Sequence, residues 1–273
     1  MEQTLAGSWS VVLGASSGMG RACALRLAEA GSNIVGVHLD TARRQQAVDE
    51  LVEEVRKHGV QAHFVNDNAA SPAGRERVLP EIVERVGGGG VRVVVHSLAF
   101  GTLAPFLPAA DGSDGAVPAG EEEVSQRQLD MTLSVMAHSL VYWVQDLLRA
   151  GLLDDRSRIF ALTSSGTARV ARSYGAVSAA KCALESHVRQ LAVELAPRGA
   201  AVNAIRAGIT LTPSFLRIPE SRELSERARL ANPHRRLTTP EDVAEAIVLL
   251  AGARSSWLTG NVIGVDGGEI LTV

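Results

Sequence analysis

Tyr174 and Lys181 have side chains suited to moving a proton, and they bracket the run Tyr-Gly-Ala-Val-Ser-Ala-Ala-Lys. They stand seven residues apart, nearly two full turns of a helix, and therefore on one face of it. A free tyrosine hydroxyl has a pKa near ~10. A neighbouring ammonium favours the phenolate and brings the hydroxyl closer to useful acid–base range. Such a pair would supply a proton to an oxygen that gains charge in a reaction. The second candidate is Gly14-Ala-Ser-Ser-Gly18-Met-Gly20, between an apolar β-branched run and a helical one. Glycines there permit a tight turn and let the backbone approach a pyrophosphate, whose charge is met by N–H groups at the helix start.

The elements that must position these residues alternate along the chain. Strands are expected at Ser10–Leu13, Asn33–Val37, Val60–Val65, Val91–Val95, Ser157–Leu162, Ala201–Ile205 and Asn261–Val265. Helices are expected at Gly20–Ala30, Thr41–Lys57, Pro72–Val86, Gln126–Ala150, Gly175–Leu195 and Glu241–Ala251. Alternation of this kind gives a parallel sheet covered on both faces. The fold class expected is α/β: one Rossmann-like, doubly wound domain spanning residues 1–273, with a seven-stranded parallel sheet. Two segments break the rhythm. Gly101–Gly120 is rich in Gly, Pro, Ala and Asp, and reads equally as a binding loop or an insertion. Thr212–Pro240 carries apolar Phe215, Leu216 and Ile218 among charges, and is expected to act as a substrate lid.

Composition narrows the function. Hydrophobic residues at 46% and charged residues at 21% fit a globular chain with a sizeable core. A net charge of −3 gives no case for nucleic acid or an anionic membrane. No apolar stretch reaches the ~18 residues of a membrane span, and Met1–Gly7 does not read as a signal peptide. A cytoplasmic protein is expected. Cys23 and Cys182 lack metal-ligand spacing and read as reduced core cysteines; no metal is expected. Tyr142, beside Trp143 in mid-helix, reads as packing.

The GxxxGxG spacing at Gly14, Gly18 and Gly20 resembles that of the short-chain dehydrogenase/reductase family, and further landmarks follow in the family's order. They are Asn68-Ala69 after the third strand, His96-Ser97-Leu98-Ala99 after the fourth, Val202-Asn203-Ala204 with Gly208 and Thr212, and Asp266-Gly267-Gly268. Together they cover about residues 5–273. The resemblance implies a nicotinamide cofactor held by Gly14, Ser16, Ser17, Gly18, Met19, Gly20, His38, Arg43, Arg44, Asn68, Ala69, Ser97, Leu98, Ala99, Lys181, Gly208, Ile209 and Thr212. It also implies that Lys181 holds the nicotinamide ribose and that Ser164, at a strand end, adds a hydrogen bond to the substrate oxygen. A serine bonding its own backbone is the plainer alternative. His38 stands where an acid would hold the ribose hydroxyls, with Arg43 and Arg44 following, which leans towards NADP(H). Asp40 and the lack of a basic residue at Ser17 lean towards NAD(H), and the arginines also suit a solvated helix start.

The tyrosine of carbonyl-reducing members stands four residues before the lysine, where this chain has Val177. The Tyr-x6-Lys spacing is similar to that of the enoyl-acyl carrier protein reductases, in the subgroup that keeps an ordinary glycine loop. Reducing an enoyl thioester puts the hydride on C3 while charge develops on the distant thioester oxygen. Three residues along a helix move the donor by roughly 4.5 Å. The function implied is NAD(P)H-dependent reduction of an enoyl thioester carried by acyl carrier protein or CoA, in fatty-acid or polyketide synthesis, by a homo-oligomer that the resemblance makes a tetramer. The alternatives are reduction of another activated alkene or a ketone, and a nucleotide-binding scaffold without turnover. Arg217, Arg222, Arg227 and Arg229 of the lid either meet an acidic carrier or form a solvated face.

Overall fold

A computed structural model describes residues 5–107 and 123–272. Residues 108–120 of the Gly/Pro-rich segment lie outside the described residues. Seven strands, β1 (Trp9–Leu13), β2 (Asn33–His38), β3 (Ala62–Asn66), β4 (Val91–His96), β5 (Arg158–Ser164), β6 (Ala201–Ala207) and β7 (Val262–Val265), form one sheet in the order β3-β2-β1-β4-β5-β6-β7. Every pairing is parallel. The order reverses between β1 and β4, which opens a crevice at the carboxyl ends of the central strands.

Alternate side chains of each strand feed two cores. Val11 and Leu13 face a layer that holds α3 (Pro72–Val86), α5 (Ser139–Arg149) and α6 (Gly175–Leu195). Val12 faces the other layer, with α1 (Gly18–Glu29), α2 (Gln45–Arg56) and α8 (Pro240–Ala251). The central strands are buried on both faces, which is why they read as near-continuous valine. Arg92 interrupts that run where the β1–β4 register shifts, and its guanidinium leaves the sheet to bond the carbonyls of Ala251, at the end of α8, and Ala253 just past it. Among the described residues no helix is long and apolar enough to cross a membrane.

The structure departs from the periodicity in four places. The stretch expected as one helix over 126–150 is α4 (Gln126–Leu133), a π-helical turn (Ser134–His138) and α5; Ser139 Oγ bonds the Val135 carbonyl across that turn. The helix expected from Thr41 starts as a 3-10 turn (Ala42–Arg44) before α2. Residues 212–240 contain a 3-10 turn (Phe215–Arg217) and α7 (Ser221–Ala231) between the prolines. Cys23 is buried but Cys182 is exposed on the outer side of α6, because apolar spacing along α6 turns that position away from the sheet.

Candidate active site

The glycine loop is built by close approach. Gly14 leaves β1 at φ 90°, and a Cβ there would stand 2.6 Å from the Ser97 carbonyl oxygen. A Cβ on Gly20 would overlap the Gly14 carbonyl. Only glycine therefore lets the loop fold on itself and against Ser97. Ser17, the N-cap of α1, is extended and makes no side-chain capping bond. The first-turn N–H groups of α1 are thus left for an anion, and this cradle fits the pyrophosphate of a dinucleotide. Gly18 (φ 52°) stands against Thr212, which brings the loop after β6 to the rim of the cradle.

At the end of β2 the sequence expectation shifts by two residues. The His38 side chain is only 2% exposed, and its Nδ1 lies 3.0 Å from Asp40 Oδ2. The Asp40 carboxylate is the group that meets Ser16 of the glycine loop, and Arg44 Nε lies 3.2 Å from its other oxygen. Burial works to raise the Asp40 pKa; hydrogen bonds from Ser16 and His38 and the charge of Arg44 outweigh it and hold the carboxyl below its ordinary range. Arg43 is exposed. Asn68 and Ala69 form the turn after β3: Asn68 Oδ1 accepts from the Ala70 N–H, and the Ala69 carbonyl accepts from Trp143 Nε1.

Beyond the glycine loop, the carboxyl end of the sheet gathers Ser164, Tyr174 and Lys181. Ser164 ends β5, with its Oγ 3.1 Å from the Tyr174 hydroxyl. Tyr174 does not lie within α6. It closes a 3-10 turn (Arg172–Tyr174) and is the N-cap of α6, with its ring packed on Gly166. Lys181, two turns further, is buried and donates to the Leu162 carbonyl at 2.6 Å. Burial pushes its pKa down to about 8, against the opposing charge of Glu185. Burial raises the Tyr174 pKa, opposed by the Ser164 bond. Burial therefore works against the ammonium-driven fall expected from the sequence. Val177 faces an apolar cluster with Met136, Ala180, Leu103, Leu133 and Val135 beside the tyrosine. The Phe106 ring lies over Gly175.

The loop after β6 completes the rim. The Gly208 N–H bonds the Val265 carbonyl, and Thr212 Oγ1 accepts from the Phe215 N–H. Ile209 N–H donates to Glu269 Oε2 at 3.0 Å. Glu269 was not singled out by the sequence: it is 1% exposed, burial raises its pKa, and Arg169 Nη1 lies 3.6 Å from its Oε1. Its only sequence signal is its place just after Asp266-Gly-Gly. Of the lid arginines, Arg227 pairs with Glu223 and Arg229 with Glu226, while Arg217 lies 5.3 Å over the Phe100 ring.

Residues 14–269 match the family model described as enoyl-(acyl carrier protein) reductase. The chain is 28% identical over 261 residues to 1-cyclohexenylcarbonyl-CoA reductase of Streptomyces collinus, covering 95% of this chain and 85% of that protein. It is 31% identical over 270 residues to the 3-oxoacyl-[acyl-carrier-protein] reductase FabG of Aquifex aeolicus, covering 98% and 99%. The solved enoyl-[acyl-carrier-protein] reductase (NADH) of the same organism superposes with a TM-score of 0.81 at 24% identity, covering 98% of each chain, a likeness of fold.

Proposed function

The chain belongs to the short-chain dehydrogenase/reductase family and is an NAD(P)H-dependent oxidoreductase resembling the enoyl-acyl carrier protein reductases, and on that premise we propose that it reduces the carbon–carbon double bond of an enoyl thioester. One observation carries the reading. The residue four before Lys181 is Val177, buried in an apolar cluster, so the hydroxyl available to the substrate is that of Tyr174, displaced to the helix cap. The bound cofactor would supply hydride. Tyr174 would hydrogen-bond and protonate the thioester oxygen as charge develops there, with Ser164 holding the phenol in place and Lys181 providing the positive charge behind it. Leu103, Met136 and Val177 would take the acyl chain. The substrate named for the Streptomyces relative, a CoA thioester with its double bond next to the carbonyl, supports this class.

A second reading, reduction of a 3-oxoacyl thioester, is favoured by the 3.1 Å contact of Ser164 with Tyr174, since a serine and a tyrosine on one oxygen suit a ketone, and by the 3-oxoacyl reductase relative. Loss of absorbance at 340 nm with crotonyl-CoA and with acetoacetyl-CoA separates the two. Faster turnover of crotonyl-CoA is expected, and Tyr174→Phe should lower its kcat about 10²-fold or more with cofactor affinity nearly unchanged. Faster acetoacetyl-CoA turnover that survives Tyr174→Phe would overturn the enoyl reading.

The proposal takes NADPH as cofactor, with exposed Arg43 as the group to meet its 2′-phosphate while Arg44 pairs with Asp40, and a carrier-bound thioester as substrate. Residues 212–240 act as the lid, the chain works as a homo-oligomer, and its two free cysteines suit a cytoplasmic setting.

A further inference from the structure

His96 ends β4 and is fully buried, yet it belongs to neither the glycine cradle nor the Ser164–Tyr174 pair. Its Nε2 lies 2.8 Å from Ser139 Oγ, and Ser139 Oγ lies 2.7 Å from the Val135 carbonyl. A hydroxyl has one proton and a carbonyl none. Both contacts are hydrogen bonds only if Ser139 donates to Val135 and His96 Nε2–H donates to Ser139. The second ring nitrogen, Nδ1, is then a bare lone pair. Among the described residues it has no hydrogen-bond partner, although a buried acceptor ordinarily has one.

Lys181 is the charged group whose field reaches the imidazole. His96 pairs in register with Ala161 on β5, and Lys181 bonds the carbonyl of the next residue, Leu162. His96 and Lys181 thus approach the same stretch of β5, above the small Ala161 side chain, which faces the core layer that holds α6. The ammonium acts electrostatically on the imidazole, which burial first and that charge second keep neutral, against a smaller opposing pull from the residue's own backbone. An ammonium has three N–H donors, and Leu162 accounts for one. The other titratable groups of this corner are Glu185, one turn along α6, and Tyr174 at its cap; β5 brings the Leu162 carbonyl and the hydroxyls of Thr163 and Ser164.

We propose that His96 is a positioning residue for Lys181: its Nδ1, fixed as an acceptor by the Ser139–Val135 chain, takes an N–H of the buried ammonium through one bridging water. A neutral acceptor favours the charged lysine without pairing it off, and it aims the ammonium at the cap of α6. The catalytic role of Lys181 rests on the reaction proposed above; the contact does not.

The test uses the fact that the full chain has only two lysines, Lys57 and Lys181. Lysine labelled with 13C at Cε gives two signals, and the exposed Lys57 is the internal reference. In His96→Asn the amide oxygen falls where Nδ1 was; in His96→Gln the amide reaches Ser139 but leaves no acceptor atom at the Nδ1 position. Lys181 should titrate in His96→Asn as in the wild type, and in His96→Gln with a proton affinity roughly tenfold weaker. Ser139→Ala frees the imidazole to move its proton to Nδ1, so it should weaken Lys181 in the same direction and carries the test if the glutamine variant fails to fold. An unchanged Lys181 midpoint in His96→Gln and Ser139→Ala, or a drop in His96→Asn as large as in His96→Gln, would overturn the proposal. Because the NMR reads resting protein, a failed enoyl assay leaves its result intact.

Discussion

On the proposed mechanism, Lys181 is the residue whose titration should shape the pH dependence of the site. Burial lowers its pKa to about 8, so its ammonium is lost as pH rises through that value, well before an exposed lysine would titrate. Any rate that needs the charge should fall above about pH 8. The linkage to stability runs the other way. Between about 8 and the ordinary value of 10.5 the unfolded chain holds a proton that the folded chain has released, so rising pH favours the fold through this group. A decline in kcat/KM above pH 8 with an unchanged or rising Tm is therefore expected, and a parallel fall in Tm would assign the loss to unfolding instead. Lys181→Ala should raise the cofactor Kd as well as lower kcat, in contrast to Tyr174→Phe. At the other end of the crevice, Asp40 carries the argument about cofactor choice. Its carboxylate bonds Ser16, His38 and Arg44, and would repel a 2′-phosphate while engaging one of the two arginines. Asp40→Asn should raise the ratio of kcat/KM for NADPH over NADH, and the Arg43→Ala, Arg44→Ala double variant should lower it. No change in that ratio from either would remove both arginines and Asp40 from cofactor selection.

The elements explain how these side chains are held. Helix α6 begins at Gly175, so Tyr174 sits at a cap, where backbone outside the helical register lets the ring lie on Gly166 and the hydroxyl reach Ser164. The π-helical turn ahead of α5 adds one residue to a turn of helix and places Ser139 against His96; such turns often mark functional places. The segment between β6 and α8 is tied at its base, by Thr212 to Phe215 and by Asn232 Nδ2 to the Asp266 carbonyl. Between those ties α7 buries only Ala228. A helix with one buried side chain has little packing to hold it down, which suits a lid. Limited proteolysis should cut within 212–231 in the resting protein and more slowly with cofactor and an acyl-CoA present. Equal cleavage in all states would count against closure.

For the whole molecule, the sheet has edges at β3 and β7, and large apolar groups stand exposed around the β7 edge: Trp257 at 93%, Leu249 at 75% and Leu271 at 85%. An unpaired strand with apolar neighbours is a surface that gains by burial. Light scattering on the eluted protein should give a multiple of 28.8 kDa, and Trp257→Ser should lower it; a monomer at micromolar concentration would refute self-association. The sequence alone determined the order and type of the elements and the glycine loop, because buried parallel strands and crossover helices demand different apolar periods and a turn against a pyrophosphate tolerates little but glycine. It also marked Tyr174, Lys181 and Ser164. The tertiary structure alone decided that Asp40 meets the glycine loop while His38 turns inward, that Glu269 lies under Ile209, and that Cys182 faces outward. It alone set Lys181 against Leu162 and pushed the Tyr174 pKa up by burial. These outcomes depend on burial and on partners up to 60 residues away in the chain, as in the Ile209–Glu269 bond. Local spacing cannot carry them, since desolvation and hydrogen bonding act through space after the strands have been laid side by side.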